Sequence, residues 1–402
     1  MDSFSLLIKP ASADCNLRCD YCFYINHLKR VEKKPRMSDK VLEALIAGYM
    51  QTYQNNLFNF GWQGGEPTLF GLKFWEKVIN LQKQYAPKGA IISNGLQTNG
   101  TLITPDLAKF FAKYKFLLGV SLDGPPYLHD CYRKTYDQKP THNLVMRGIE
   151  LLKESNVEFN ILILVNNQNV RKASEIYHYF RDEGFYFQQY IPCVEFDMFN
   201  NPKSFSIKGE EWGAFLCNLF DEWIKEDINR ISIRLFDSIL EYLVYGRYNV
   251  CHMGKNCCQY FVIEYDGNIY PCDFFVEEDL LLGNVLEDNW EDILNSPIYR
   301  KFGHNKSDWH TNCRICNFTD LCHGDCQKFR IGNHQKSQSS SVLCKGWKKF
   351  FTHALPQLKI IAEKIKNQNR IVISTQIRTK KIGRNSLCPC GSGKKYKNCC
   401  MN

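Results

Sequence analysis

The chain has 402 residues, of which 44% are hydrophobic and 14% aromatic, so it can bury a substantial core spread over two or three domains. No run approaches the roughly 18 apolar residues of a membrane-spanning helix, which argues against membrane insertion. Residues 1–13 lack the basic and apolar stretches of a secretion signal, so we expect a cytoplasmic protein.

The net charge of +9 is concentrated at the end of the chain, where residues 359–402 contain 11 Lys and Arg and a single acid, Glu363. The remainder is nearly neutral, so any polyanion would be recognised by this tail. The 19 cysteines are a second compositional signal. Because the cytosol keeps thiols reduced, metal binding explains them better than disulfides do.

Short apolar runs alternate with helical patterns over residues 1–195. A helix is predicted from its N-cap Ser38 through Tyr49. This alternation predicts an α/β fold with a parallel sheet and outer helices, and six strands rather than eight favour a partial (β/α)6 TIM-like barrel. Functional residues are expected at the carboxyl ends of the strands. The predicted strands are Phe4–Ile8, Leu57–Trp62, Ala90–Gln97, Phe116–Leu122, Phe159–Val165 and Phe187–Ile191.

A C-x3-C-x2-C loop, Cys15 to Cys22, follows the first predicted strand. A structural zinc ion needs four ligands, and His27 is the nearest further candidate. The alternative is a four-iron, four-sulfur cluster held by three cysteines, which leaves one iron open to another ligand. A second motif, Gly64-Gly65-Glu66-Pro67, follows the second predicted strand.

Together these two motifs resemble the radical S-adenosylmethionine enzymes. In that family S-adenosylmethionine fills the open iron site, which implies Cys15, Cys19 and Cys22 as cluster ligands. The resemblance places Tyr21 against the adenine and Arg133 at the cofactor carboxylate, although Arg133 could instead be a surface charge. Turn-like residues after strands contribute the remaining cofactor contacts, since glycine lets backbone approach a ligand. These contacts are Gly64, Gly65, Glu66 and Ser121.

Cysteines return after predicted connector helices at Trp212–Ile224 and Ile239–Tyr245. Their pattern from Cys251 to Cys344 resembles the SPASM auxiliary-cluster domain, which implies an irregular α+β domain over residues 196–358. The resemblance leaves Cys258 spare and pairs the others into two fully ligated [4Fe-4S] clusters suited to electron transfer. The first set is Cys251, Cys257, Cys272 and Cys326, and the second is Cys313, Cys316, Cys322 and Cys344.

Two zinc ribbons are the alternative for these cysteines, but the required C-x2-C spacing occurs only at Cys313 and Cys316. Three further cysteines have no partner spacing and are expected to be ordinary core or surface residues. They are Cys131, Cys193 and Cys217.

Three sequence segments narrow the choice of reaction: Leu6 to Ser12, Tyr270 to Phe274, and Ser232 to Asp237. They are similar to the anaerobic sulfatase-maturating enzymes over roughly residues 4–358. Such enzymes oxidise a Cys or Ser, within a Cys/Ser-x-Pro/Ala-x-Arg segment of a sulfatase, to Cα-formylglycine. A radical derived from S-adenosylmethionine removes hydrogen from the substrate Cβ, and the second electron leaves through the auxiliary clusters.

The same resemblance makes Asp273 the general base and places Tyr24 near the reacting side chain. Asp273 could instead accept backbone amides in the turn after Cys272. Weaker candidates for holding the substrate peptide are Gln63, Gln97 and Arg234.

Two other functions are consistent with the same cysteine motifs. One is thioether cross-linking of a small peptide by a related radical enzyme, and the other is a non-enzymatic iron-sulfur electron carrier. A reductant such as flavodoxin or ferredoxin is expected for the enzyme.

The tail divides into a predicted basic linker, residues 359–381, and a motif over residues 382–402 that resembles the SEC-C zinc motif. Four thiolates can form a closed tetrahedral zinc site that folds a segment without a core. We expect this tail to dock on a secretion chaperone or the ribosome, the alternative being a folded knob without a partner. The zinc ligands are Cys388, Cys390, Cys399 and Cys400.

Overall fold

The computed structural model describes residues 4–25, 34–52, 56–330, 339–379, 394–395 and 398. Ten strands in these ranges form one sheet. They are β1 (Ser5–Ile8), β2 (Leu57–Trp62), β3 (Ile91–Thr98), β4 (Leu117–Ser121), β5 (Phe159–Val165), β6 (Phe187–Pro192), β7 (Ser232–Ile233), β8 (Tyr260–Ile263), β9 (Asn268–Tyr270) and β10 (Gly283–Asn284).

Thirteen described helices accompany the sheet. They are α1 (Asp39–Met50), α2 (Gly71–Tyr85), α3 (Pro105–Lys113), α4 (Pro126–His129), α5 (His142–Glu154), α6 (Ala173–Asp182), α7 (Gly209–Glu226), α8 (Arg234–Tyr245), α9 (Trp290–Asn295), α10 (Pro297–Asn305), α11 (Thr311–Arg314), α12 (Thr319–Cys322) and α13 (Cys344–Thr379). Short 3₁₀ turns lie between several of these elements, at Pro67–Phe70, Cys251–Met253, Glu278–Leu280 and Gln327–Phe329.

The strand order is β10-β9-β8-β1-β2-β3-β4-β5-β6-β7. All neighbours from β8 to β7 are parallel, whereas β9 and β10 are antiparallel extensions. The six predicted strands are confirmed with no bound shifted by more than one residue, and the sheet is the barrel-like parallel sheet expected. The pairing of β8, from the second cysteine region, with β1 was not predicted, because it joins residues more than 250 positions apart.

Helix α1 forms for the predicted local reasons. The Ser38 Oγ accepts a hydrogen bond from the Val41 backbone N at 3.2 Å, which satisfies a donor at the helix start. Val41, Leu45 and Tyr49 lie on its buried face and pack into the main core.

Helix α13 packs against α7 and α8. The backbones of α13 and α7 meet at glycines, since a Cβ on Gly213 would lie 2.7 Å from the Gly346 Cα. The predicted boundary between residues 358 and 359 falls inside α13, and the predicted linker is helical through Thr379. Among the described helices, none is long and apolar enough to cross a lipid bilayer.

Candidate functional site

The Cys15–Cys22 loop is held against the Gly-Gly-Glu turn by backbone hydrogen bonds. The Gly65 N donates to the Ser12 carbonyl at 2.7 Å, and the Glu66 N donates to the Asp14 carbonyl at 2.8 Å. The contact is so close that a Cβ on Gly65 would lie 1.8 Å from the Asp14 carbonyl oxygen. Gly64 has φ of +107°, a conformation that glycine adopts readily. Glycine is therefore required where these two loops touch.

Glu66 is a fully buried carboxylate that joins the ends of β2 and β3. Its Oε1 accepts hydrogen bonds from the Thr68 backbone N at 3.0 Å and the Thr98 hydroxyl at 2.8 Å, and its Oε2 accepts from the Asn99 backbone N at 2.7 Å. Burial raises the pKa of Glu66, and these donors oppose the rise. The Glu66 carboxylate thus ties together the turns that follow β2 and β3.

Asn99 connects the end of β3 to the cysteine loop. Its side-chain amide donates to the Asn16 side chain at 2.9 Å and lies 3.6 Å from the Cys15 sulfur. Asn16 in turn donates to the Thr101 hydroxyl at 2.8 Å. The turn after the third strand therefore helps to fix the first cysteine.

Tyr21, Asp123 and Arg133 form a buried network on the other side of the loop. The Tyr21 hydroxyl donates to the Asp123 carboxylate, to which the Arg133 Nε also donates at 3.0 Å. The Arg133 guanidinium lies 5.5 Å from the centre of the Tyr21 ring. Because only 12% of the Arg133 side chain is exposed, the surface-charge alternative is wrong. Ser121 ends β4 beside this network and is buried.

Cys15, Cys19 and Cys22 lie close enough to affect one another's ionisation. The pKa of Cys19 is raised to about 12, mainly by burial; Arg133 opposes the rise, and Cys22 and Asp123 contribute to it. The pKa of Cys15 is also raised, first by burial and then by Glu66. Such thiols ionise when a bound metal supplies positive charge, so the site fits a metal cluster. His27, the fourth ligand considered for zinc, lies outside the described residues.

A second cysteine group brings together residues far apart in the sequence. The pKa of Cys326 is raised well above its usual value by burial and by nearby Cys251, Cys272 and Cys257. Two donors also reach sulfur in this group: the Gln327 amide lies 3.4 Å from the Cys257 sulfur, and the Tyr260 hydroxyl lies 3.4 Å from the Cys272 sulfur. Hydrogen bonds to sulfur tune the potential of an iron-sulfur cluster.

A third group lines one cavity beneath α13, together with Trp347 and Phe351. The pKa of Cys322 is raised by burial and by neighbours that include Cys344 and Cys313. Cys258 instead packs against Gly303 and the Tyr299 carbonyl. The cysteines of this cavity are Cys313, Cys316, Cys322 and Cys344.

The described residues contain no three His, Cys, Asp or Glu side chains grouped tightly enough to hold a single metal ion. In a four-iron cluster each thiolate binds a different iron, so the ligands surround a wider centre.

Parallel pairing places the candidate catalytic residues together. Ile8 pairs with both Trp62 of β2 and Ile263 of β8, so the next residue of each strand, Lys9, Gln63 or Glu264, lies at one edge of the sheet. The Lys9 Nζ lies 2.5 Å from the Glu264 Oε1 and 3.3 Å from the Asp273 Oδ1. Neither Lys9 nor Glu264 was assigned a role from the sequence.

Asp273 is 4% exposed and faces this edge from the turn after β9. Its Oδ2 accepts hydrogen bonds from the Tyr24 hydroxyl and from the Gln63 amide, the latter at 3.3 Å. Gln63 also donates to the Tyr24 oxygen at 3.2 Å. Because these partners are side chains rather than backbone amides of the turn, the contacts fit a proton acceptor better than a carboxylate that only caps the turn.

The other predicted substrate residues are placed differently. Gln97 is half-buried on β3, in register with Gly119. Arg234 begins α8, is exposed and donates to the Asn249 carbonyl at 2.8 Å. Cys193 is buried beside the first cysteine loop, whereas Cys217 is buried in α7. The predicted zinc ligands of the tail all lie outside the described residues.

Three family models match the chain. The Radical SAM superfamily matches residues 10–180, the SPASM iron-sulfur cluster-binding domain matches residues 251–317, and the SEC-C motif matches residues 384–402. A cysteine-type anaerobic sulfatase-maturating enzyme of Clostridium perfringens is 38% identical over 371 residues, covering 91% of this chain and all of that protein. A serine-type enzyme of Bacteroides thetaiotaomicron is 35% identical, covering 90% of this chain and 92% of that protein.

A solved structure agrees with these relatives. Native anSMEcpe with bound AdoMet and Cp18Cys peptide superimposes with a TM-score of 0.85 at 38% identity, covering 90% of this chain and 99% of that one. Streptococcus suis SuiB, at 17% identity and a TM-score of 0.63, shares the fold. The predicted resemblance to radical S-adenosylmethionine enzymes with a SPASM domain is thus confirmed, and the chain belongs to the family of anaerobic sulfatase-maturating enzymes.

Proposed function

We propose that this chain oxidises a Cys or Ser of a sulfatase to Cα-formylglycine. The observation that carries the proposal is the position of Asp273. This buried carboxylate follows Cys272 of the second cysteine group and accepts a hydrogen bond from Tyr24, which lies two residues after Cys22 of the first group. A proton acceptor therefore stands between two candidate iron-sulfur sites.

The chain offers ligands for three [4Fe-4S] clusters and a cradle for S-adenosylmethionine. Cys15, Cys19 and Cys22 would hold the cluster with an open iron, and the two groups of four cysteines would hold the others. The cofactor would lie among the Gly-Gly-Glu turn and the Tyr21–Asp123–Arg133 network. When bound, cluster and cofactor supply a hydrogen-abstracting radical, while the protein supplies orientation and proton transfer. The residues of the cofactor site are Tyr21, Gly64, Gly65, Glu66, Ser121 and Arg133.

The conversion of the substrate side chain to an aldehyde defines the steps that the protein must assist. After one hydrogen atom leaves the Cβ, loss of a proton and an electron yields a thioaldehyde from Cys or an aldehyde from Ser. Asp273 takes the proton, and Tyr24 and Gln63 orient its Oδ2. Water then converts the thioaldehyde to the aldehyde with release of hydrogen sulfide. The two fully ligated clusters, if held by the second and third cysteine groups, would supply the acceptor for the second electron.

The substrate is proposed to be an extended Cys/Ser-x-Pro/Ala-x-Arg segment. Gln63 offers a donor and an acceptor to its backbone, with Gln97 and Arg234 as further contacts. The test is anaerobic incubation of the reconstituted protein with reductant, S-adenosylmethionine and matched Cys and Ser peptides. We expect 5′-deoxyadenosine and a loss of ~18 Da from the Cys peptide or ~2 Da from the Ser peptide, because aldehyde replaces thiol or alcohol. Unchanged Cys and Ser peptides alongside 5′-deoxyadenosine would contradict the proposed substrate.

We further propose that flavodoxin or ferredoxin exchanges electrons at the third cysteine group. Arg314 and Ile315 stand exposed between Cys313 and Cys316, with Ile315 84% exposed, and Lys348 lines the same cavity. Cations around a small apolar contact suit transient docking of an acidic carrier.

Reversing Arg314 and Lys348 to Glu should weaken flavodoxin binding by about tenfold at low salt, since exposed charge pairs each contribute about 0.2–1 kcal/mol. Isothermal titration calorimetry measures this effect. Lys359→Glu, on the same helix but about 16 Å away, is the control and should bind normally. Equal affinity of the double variant and the control would dismiss the site.

The tail is proposed to bind zinc through Cys388, Cys390, Cys399 and Cys400 and to dock on a secretion chaperone or the ribosome. Its basic charge supports this role. Truncation after Lys380 should preserve activity on a short peptide while reducing modification of full-length sulfatase in cells. Equal modification by the truncated protein would argue for a knob without a partner. A cytoplasmic location is proposed because none of the described cysteines is paired in a disulfide.

A further inference from the structure

Lys9 is a fully buried cation held between two carboxylates. Its Nζ lies 2.5 Å from the Glu264 Oε1, 3.3 Å from the Asp273 Oδ1 and 4.6 Å from the centre of the Tyr24 ring. Burial alone would lower the pKa of Lys9, but Asp273 and Glu264 outweigh burial and raise it. Lys9 is therefore an ammonium ion inside the protein.

Burying these charges carries a desolvation penalty, so the ion pairs are an inefficient way to stabilise a sheet. Replacing a buried ion pair with apolar residues is often neutral or stabilising, whereas removing one partner leaves an uncompensated charge. Here the Glu264 Oε2 and the Asp273 Oδ1 are both buried without a hydrogen bond among the described residues, so Lys9 contacts Asp273 as an ion pair. The chain thus keeps a polar pair at a place where β1 and β8 could be joined by apolar packing.

The geometry divides the two oxygens of Asp273 between different partners. Lys9 faces Oδ1, whereas Tyr24 and Gln63 donate to Oδ2. Lys9 itself is fixed by Glu264, whose position follows from the β1–β8 register. The Lys9 ammonium group thus lies beside the Asp273 oxygen that Tyr24 and Gln63 do not contact.

We infer that Lys9 and Glu264 are positioning residues that orient Asp273 for proton abstraction, an inference that rests on the proposed function. Lys9 anchors one carboxylate oxygen, Glu264 anchors Lys9, and the second oxygen remains directed towards Tyr24 and Gln63. A merely structural role would instead require only that β1 and β8 stay together.

The test compares Lys9→Met, Glu264→Gln and the double variant Lys9→Met/Glu264→Met. Each single variant should unfold at a lower temperature because a buried charge loses its partner, and the double variant should recover much of that loss. All three should form at least about tenfold more 5′-deoxyadenosine per formylglycine than the unmodified protein, because a misplaced base slows only the later step. Iron content should be unchanged.

Tyr177→Phe is the matched control. Tyr177 lies on α6, and its hydroxyl donates a buried hydrogen bond to Asp227 at 2.5 Å. Removing this hydroxyl should lower stability without changing the product ratio. A crystal structure of the double variant provides a readout independent of activity and should show the Asp273 carboxylate rotated from its present position.

A stable double variant with an unmoved Asp273 and a normal product ratio would overturn the inference and leave a structural tie. Failure of the proposed function would be distinguishable, because the unmodified protein would then form no formylglycine. In that event the Asp273 position in the crystal structure still decides whether Lys9 and Glu264 orient it.

Discussion

Asp273→Asn is expected to lower formylglycine formation by about 10²- to 10⁴-fold while S-adenosylmethionine is still cleaved. Asn has the size of Asp and can still accept hydrogen bonds from Tyr24 and Gln63, but it cannot take up the substrate proton. Quantifying 5′-deoxyadenosine and aldehyde in the same reaction separates the two steps.

Asp266→Asn is the matched control for this prediction. Asp266 is an exposed carboxylate in the turn between β8 and β9, where it accepts hydrogen bonds from Asn268. Its replacement tests whether loss of any acid in this hairpin impairs the reaction, and we expect normal product formation. Normal yield from Asp273→Asn would remove Asp273 from the role of base.

Gly65→Ala is expected to abolish both S-adenosylmethionine cleavage and formylglycine formation. The added methyl group would lie 1.8 Å from the Asp14 carbonyl oxygen and 2.4 Å from its carbon, so the backbone next to Cys15 must move. If the chain holds three clusters as proposed, iron analysis should show loss of about one third of the iron.

Gly95→Ala provides the control because it adds the same methyl group to the same sheet. At Gly95 the nearest atom to a Cβ is the Leu117 carbonyl oxygen at 3.9 Å, an ordinary contact. This variant should bind iron and react normally. A Gly65→Ala protein with full iron content and normal cleavage would show that the two loops can separate without loss of function.

The local parts of this structure were predictable because they depend on neighbouring residues. The Ser38 cap, the buried stripe of α1 and the cysteine loop after β1 all follow from short-range patterns. Most of the predicted cofactor residues lie at strand ends for the same reason.

The parts that were missed depend on contacts between distant segments. Lys9 and Glu264 meet only because β8 pairs with β1, which no local pattern reveals. Arg133 was named from the sequence, but its burial could not be decided there because it depends partly on Tyr21, 112 positions away.

The predicted linker shows a different difficulty. Its basic and polar composition hid apolar side chains at helical spacing that pack against the core, at Ile361, Ala362 and Ile365. Composition averaged over the segment therefore gave less information than the spacing of its few apolar residues.

The most direct test of the proposed reaction uses a Cys-x-Pro-x-Arg peptide deuterated at the Cys Cβ. If this chain removes hydrogen from that carbon, the 5′-deoxyadenosine should gain one deuterium and the peptide should become an aldehyde that retains one. Deuterium-free 5′-deoxyadenosine, formed with an unchanged peptide, would contradict oxidation of this side chain and direct the search to a different peptide substrate.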